Sequence, residues 1–406
     1  MLNFILILLL ILSVLFWIVY LLRTMSNYRK LPDLSKITYK KSEKLPMISA
    51  IIPARNEEKK ISPFIETLKK QTYPNLEILI MDDYSTDKTV EKAKTAIGED
   101  ERFKIINLKS FKDEKPDGWA GKSYALQRGT TIAKGEWFLF SDVDYIDHNP
   151  DLIERAVQHA IANKLDLLSL VPRNSCKSFW EKIIQPIPAG LLIFLSPFAK
   201  VNDPKNRASF ALGLFILIKR EIFNKIGGYE KIRGHIADDV EMAKLVKESG
   251  FKIGLANAQN IMRFRMYENL GEIWQGWSKN IFLGLIQKRR IQSKTLQVLT
   301  LLAGLFAVFE AMVLPFIALI ISTIALITIH SQQWQNLFVF SAITWLLATI
   351  TQSYVHKKYG IGDPKYSPLY FLGGIITMGI FLNSAYKTLT GTGLTWKQRT
   401  YTDKTT

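Results

Sequence analysis

The chain has 406 residues, of which 48% are hydrophobic, and a formal net charge of +17, which leaves room for one water-facing domain together with membrane segments. Its single cysteine, Cys176, excludes an intrachain disulfide framework, and nothing resembles a Cys/His zinc site. The lysines and arginines are scattered among apolar helices without a compact recognition motif, so no nucleic acid is expected as a partner and a surface lying against anionic lipid is.

Residues 1–22 are almost uninterrupted Leu, Ile, Val and Phe, followed by Arg23, Arg29 and Lys30 with no small-residue cleavage site before the charges. They predict a retained transmembrane anchor over 1–24, with a juxtamembrane linker over 25–46. Positive residues on its carboxyl side point the amino terminus outward and place the next domain in the cytosol.

From about residue 45 to 265 strand and helix signals alternate, the pattern of an α/β domain with a mainly parallel sheet and crossover helices. Residues 47–52 predict the first strand, and the segment from Pro53 to Glu58 leads into a helix through Leu68. Residues 76–81 form the next apolar run and end on Asp82-Asp83; Ser85, Asp87 and Thr89 follow as capping residues at a helix start. A further run over 137–141 ends on Asp142-Val143-Asp144. The carboxyl ends of such strands are where open α/β sheets bind ligands, so these carboxylates face a cleft. Two aspartates one residue apart on a turn can share a hard divalent cation, Mg²⁺ or Mn²⁺, directly or through water; a solvated acidic turn is the alternative reading.

Residues 179–200 are apolar but broken by Pro186, Pro188 and Pro197, and the longest apolar stretch among them is too short for a span, which predicts a segment resting on the interface. An interfacial helix is expected over 271–295 and a transmembrane block over 296–390, with apolar runs at 296–329, 337–354 and 369–386. The first run is longer than the roughly twenty residues one helix needs and contains Pro315, so it reads either as one kinked span or as a tight re-entrant pair. Lys387, Lys397, Arg399 and Lys404 favour a cytosolic tail over 391–406, which with an outward amino terminus requires an odd number of spans and hence the pair.

Four segments, Ile51-Ile52-Pro53-Ala54-Arg55-Asn56-Glu57-Glu58, Gln71-Thr72-Tyr73-Pro74, Asp82-Asp83-Tyr84-Ser85-Thr86-Asp87-Lys88-Thr89 and Asp142-Val143-Asp144, in this order and spacing, resemble inverting family 2 glycosyltransferases of the GT-A fold, a Rossmann-like sheet domain. The resemblance covers most of residues 47 to 280 and implies a catalytic domain over 47–270. It implies that Asp82, Asp83 and Glu57, with the backbone around Pro53, Ala54 and Arg55, recognise the base and ribose of a UDP- or GDP-sugar. Asp142 and Asp144 would hold the divalent cation against the diphosphate.

Gly234-His235-Ile236-Ala237-Asp238-Asp239-Val240-Glu241-Met242 is similar to the family's acidic base motif, which implies Asp239 as general base with Asp238 orienting it, or the two exchanged; helix capping is the plainer role for both. His235 could touch acceptor or phosphate, or be structural. Asp117-Gly118-Trp119-Ala120-Gly121-Lys122 resembles the Gly-Lys element found ahead of the metal motif, particularly in members that glycosylate membrane lipids, with Lys122 meeting the donor phosphate or the acceptor, or standing exposed in a flexible glycine loop, and Trp119 serving as loop packing or as a platform for a sugar ring. Processive synthases carry Gln-x-x-Arg-Trp after the base; here Gln275 and Trp277 remain, but Ser278 and Lys279 stand where Arg and Trp would be. Lys279 could still screen the leaving diphosphate, while the tryptophans could simply lie among lipid headgroups. Trp396-Lys397-Gln398-Arg399-Thr400-Tyr401 is similar to a tail segment of ceramide, hopanoid- and carotenoid-associated glycosyltransferases. Together these imply a lipid glycosyltransferase at the cell membrane, with a processive polysaccharide synthase and a noncatalytic nucleotide-binding scaffold as the alternatives.

Overall fold

The computed structural model describes residues 2–38, 45–111, 116–119, 121–289, 291–329, 331–396 and 399–401. Ala120, Lys397, Gln398 and Lys404, invoked above, lie outside them. The chain forms two compact units, one of residues 1–28, 174–196 and 267–396, the other built chiefly of 29–173 and 197–266.

The second unit is built on a seven-stranded sheet. Its strands are β1 (Ile48–Ala54), β2 (Leu76–Asp82), β3 (Phe103–Asn107), β4 (Trp137–Phe140), β6 (Leu167–Val171), β8 (Ile216–Lys219) and β9 (Ile253–Asn257). The order is β3-β2-β1-β4-β8-β6-β9. Every pairing is parallel except those of β8, which runs against β4 and β6. Between them come β5 (Tyr145–His148) and the two-residue β7 (Arg173–Asn174), and β10 (Met262–Phe264) follows; β5 pairs antiparallel with β10. β1, β2, β4 and β6 are apolar because they are covered on both faces, as parallel strands are, and β2 is buried along its whole length. The order reverses between β1 and β4, so a crevice opens at the carboxyl ends of these two strands. The mainly parallel sheet expected from the alternating signals is the one that forms.

Helix α1 (Leu2–Arg29) precedes this sheet, and α2 (Ile61–Lys69), α3 (Thr89–Ile97), α4 (Ser123–Ile132) and α5 (Leu152–Ala162) are the crossovers. In α2 the residues Ile61, Phe64, Ile65 and Leu68 recur at helical spacing and are buried, each side chain contributing about 1.5–3 kcal/mol. Behind the sheet, Ser49 donates to Glu77 (2.5 Å) and receives the amide of Gly135 (2.7 Å). A β-carbon at Gly135 would lie 2.5 Å from the Ser49 amide nitrogen and 2.8 Å from the Trp137 carbonyl oxygen. Both are backbone atoms of the sheet and cannot move aside, so Gly135→Ala should destabilise the protein by about 1–3 kcal/mol, seen as a lowered melting temperature in detergent.

Two buried histidines give this unit an acid limit. The Gln71 side-chain amide donates to His148 Nδ1 (2.9 Å), and burial lowers the pKa of His148, and separately that of His159, to about 4. Both are therefore neutral when folded, whereas in the unfolded chain they titrate near 6.5. The unfolded state takes up more protons between those values, so stability is complete at pH 7 and falls as pH drops from about 6.5 to 4. Melting curves across that window should show the loss, and His148→Gln should remove part of the slope.

The other unit is helical. It contains most of α1, then α6 (Phe179–Ile184), α7 (Pro186–Leu195), α11 (Leu270–Arg289), α12 (Lys294–Val308), α13 (Leu314–Thr328), α14 (Gln332–Tyr359) and α15 (Tyr370–Thr390). Three short helices, α8 (Phe198–Val201), α9 (Arg220–Lys225) and α10 (Asp238–Glu248), belong to the sheet unit. Five helices among the described residues are long and apolar enough to cross a membrane: Phe4–Arg29, Phe179–Val201, Lys294–Thr328, Gln332–Tyr359 and Pro364–Thr390.

Phe179–Val201 qualifies on length and composition; Pro186 sits in the first turn of α7, where its missing N–H costs little, and the backbone leaves the helix at Ser196 before Pro197. One expectation is corrected here. Residues 294–328 are not a re-entrant pair: α12 and α13 are joined by a π-helical turn over Phe309–Val313 without reversal. Pro315 cannot donate, which frees the carbonyl of Ala311 four residues earlier. The Trp17 indole N–H donates to that oxygen at 2.9 Å, and the Ser13 hydroxyl lies 2.9 Å from the Glu310 carbonyl and 2.7 Å from its carboxyl Oε1. The carbonyl left without an in-helix donor by Pro315 is thus satisfied by a side chain of α1.

Candidate active site

The loops after β1 and β2 are laced together. The Asp83 amide donates to the Ala54 carbonyl (2.8 Å), extending the ladder one step beyond the strands. The Arg55 guanidinium donates to the carbonyls of Asp83 (2.7 Å) and Tyr84 (3.3 Å). Amides of Glu57 and Glu58 reach Thr89 Oγ1 (2.7 Å) and Asp87 Oδ2 (3.2 Å), and Asn56 Oδ1 accepts from the Thr86 amide (2.9 Å). Asn56 and Tyr84 hold φ values of +50° and +59°, left-handed backbone at about 1 kcal/mol or more each, which this mutual bonding sustains. Pro53, Ala54, Arg55, Glu57, Asp82 and Asp83 therefore meet at one sheet edge, with Arg55 holding the loops together. Asp82 ends β2 and is buried, and that burial raises its pKa against the lowering effect of the Ser85 hydroxyl and amide. At the start of α3 it is Asp87 that accepts the Thr89 amide (3.0 Å), while Lys88, in the cap position, makes no side-chain cap.

Asp142 and Asp144 follow β4 across the crevice, and each carboxylate is paired with a lysine. Lys122, on the turn before α4, forms a close ion pair with Asp142. Burial disfavours the Lys122 ammonium, but Asp142, Asp238 and Asp239 outweigh it and its pKa is raised; burial raises that of Asp142 too, with Asp144 and Asp239 adding to it and Lys122 opposing. Lys60, the residue before α2, bonds Asp144 Oδ1 (2.7 Å) and the Met266 carbonyl (2.8 Å). Sequence reasoning missed Lys60, since nothing in Lys59-Lys60 distinguishes the lysine that turns inward. No group of three His, Cys, Asp or Glu converges among the described residues. Two carboxylates nevertheless suit a hard cation that completes its shell with diphosphate oxygens and water.

The third part of the site comes from the start of α10. Asp238 is buried, 3.5 Å from the Ser123 hydroxyl. Asp239 is half-buried and clamped at both oxygens: Oδ1 accepts the Val240 amide and Oδ2 the Gly213 amide, each at 2.8 Å. The cap position is Ala237, with no side-chain cap, so neither aspartate is an N-cap; the helix terminus still favours their negative charge. A β-carbon built on Gly213 would lie 2.9 Å from Lys122 Nζ, 3.4 Å from Asp239 Oδ2 and 3.5 Å from Asp142 Oδ2. That one position shows that the three side chains, drawn from three separate segments of the chain, meet at one point.

Other expected residues are placed as follows. His235 lies in the turn before α10, its amide bonded to the Ile232 carbonyl (3.0 Å). Trp119 is buried edge-on against Tyr124, with ring centroids 5.5 Å apart, and so packs the loop rather than offering a platform. Gln275, Trp277 and Lys279 lie on α11 in the helical unit; Gln275 is exposed, and Trp277 packs edge-on to Tyr267. Trp274 lies against α15, where a β-carbon on Gly379 would come within 2.9 Å of its ring.

Residues 49–227 match the family model described as glycosyl transferase family 2. Over 239 residues the chain is 26% identical to 4,4'-diaponeurosporenoate glycosyltransferase of Staphylococcus aureus (strain USA300), covering 58% of this chain and 61% of that protein. The same enzyme of Staphylococcus haemolyticus (strain JCSC1435) is 26% identical over 247 residues, 60% of this chain and 64% of that one. The match thus spans a little over three fifths of these relatives. A solved mannosyltransferase from Pyrobaculum calidifontis, in complex with GDP-Man and Mn²⁺, aligns over 92% of this chain and 98% of its own with a TM-score of 0.52 at 15% identity, a likeness of fold.

Proposed function

We propose, from the match of residues 49–227 to the glycosyl transferase family 2 model, that the chain moves a sugar from a nucleotide-diphosphate donor to a membrane lipid, with inversion at the anomeric carbon. The observation that carries this reading is the meeting of Lys122, Asp142 and Asp239 at Gly213. It sets an ammonium and a fixed carboxylate beside one another, the pair that transfer from a diphosphate donor to a hydroxyl would use.

The loops after β1 and β2, with Asp82 and Asp83, hold the nucleoside. Lys122 faces the diphosphate and offsets the charge that grows as it leaves. Asp142 and Asp144 would hold a Mg²⁺ or Mn²⁺ ion, which when bound supplies further neutralisation of the diphosphate. Asp239, its oxygens fixed by two backbone amides, accepts the proton of the attacking hydroxyl, and because attack comes from the side opposite the leaving group the configuration inverts. For a carboxylate acceptor no proton need move, and Asp239 would then only orient. The lipid acceptor is supported by the five apolar helices and by the names of the relatives; a cytosolic catalytic face is supported by Arg23, Arg29 and Lys30 at the carboxyl end of the first of them.

Detergent-purified protein, native lipid extract, Mn²⁺ and radiolabelled UDP- and GDP-sugars test the reading together. Label entering the organic phase supports it and identifies the donor. Label confined to insoluble polymer would overturn it in favour of a processive synthase, and nucleotide binding without transfer would favour a noncatalytic role.

A further inference from the structure

Gly213 lies in the segment that leads into β8, far in sequence from every motif of the site, yet its backbone touches both halves of it. Its amide fixes Asp239 Oδ2 at 2.8 Å. Its missing side chain leaves the space filled by the Lys122 ammonium, 2.9 Å from where a β-carbon would stand. Leu212, beside it, is anchored in turn, its amide donating to Ser169 Oγ (2.9 Å), while Ser169 Oγ bonds the Phe215 carbonyl (2.9 Å). The segment is therefore held to β6 independently of the site and acts as a fixed support.

We propose that Gly213 is a positioning residue for the reaction: its amide orients Asp239 toward the acceptor, and its lack of a β-carbon lets Lys122 sit against Asp142 at the diphosphate. The inference rests on the assignment of Asp239 and Lys122 above. The obstacle to a methyl group is the end of a flexible lysine, which can swing aside, with the two carboxylates at ordinary contact distance. Gly213→Ala should therefore fold normally while displacing Lys122 from its seat.

The test uses the full chain in detergent, with nucleotide-sugar and lipid extract. Gly213→Ala is expected to leave the melting temperature within about 2 °C, which marks an intact core, and to raise the donor KM and lower kcat by about 10- to 100-fold in kcat/KM. Because the loss acts through Lys122, the same change in a Lys122→Met background should cost less than about 3-fold more, a strongly non-additive cycle. Independent, multiplying losses would overturn the proposal, as would wild-type kinetics or a large fall in melting temperature. Asp239→Asn is measured alongside: if it keeps transfer, the base assignment itself fails, whereas its inactivity together with an undisturbed Gly213→Ala would sink the Gly213 role alone.

Discussion

Asp239→Asn should abolish sugar transfer to a hydroxyl acceptor while leaving donor binding within a few-fold of wild type. The substitution keeps the shape of the side chain and an oxygen for one of the two amides at 2.8 Å, so the local fold persists. It removes the carboxylate proposed to take the proton, an expected loss of about 10²–10⁴ in rate for a general base. Asp238, buried beside Ser123, is not expected to replace it. Transfer measured by label in the organic phase, set against nucleotide affinity measured by calorimetry, separates the two effects. Retained transfer would mean that the proton goes elsewhere or that the acceptor is a carboxylate.

Asp142→Ala should fail in a different way. It removes a proposed oxygen ligand of the cation and at the same time strips Lys122 of its ion-pair partner, so donor binding in the presence of Mn²⁺ should weaken by at least about 10-fold and transfer should fall further. Asp239→Asn is thus a kcat variant and Asp142→Ala a donor-affinity variant. Mn²⁺ titrations followed by electron paramagnetic resonance give a readout independent of turnover, and unchanged Mn²⁺ and donor affinity in Asp142→Ala would remove this residue from the donor site.

The acidic clusters and the strand signals were legible in the sequence because they are local: an apolar run buried on both faces, then a carboxylate at its end. β1, β2 and β4 formed within two residues of their expected limits. Lys60 and Gly213 were not legible, because each acts through a partner 84 or 26 positions away and neither lysine nor glycine announces a distant partner. The helical run at 294–328 was read wrongly for a related reason. A proline inside an apolar stretch fixes the place of a break but not its form, and whether the chain reverses or bends depends on who bonds the carbonyl that proline leaves free. Trp17, nearly three hundred residues away, was the missing information.

That indole has a temporal consequence. During synthesis α1 emerges 297 and 294 residues ahead of the partners of Ser13 and Trp17, so these bonds form only after the whole sheet unit has been made. Only when the kinked helix follows can the helical unit close. A shortened version that starts at Arg29, the natural choice for making a water-soluble form, would leave the Ala311 oxygen without its donor in an apolar setting. Such a version should be carried through only with the last three apolar helices removed as well. The helix that looks like a tether is a packed member of the bundle, with Trp17 and Tyr20 fully buried in it.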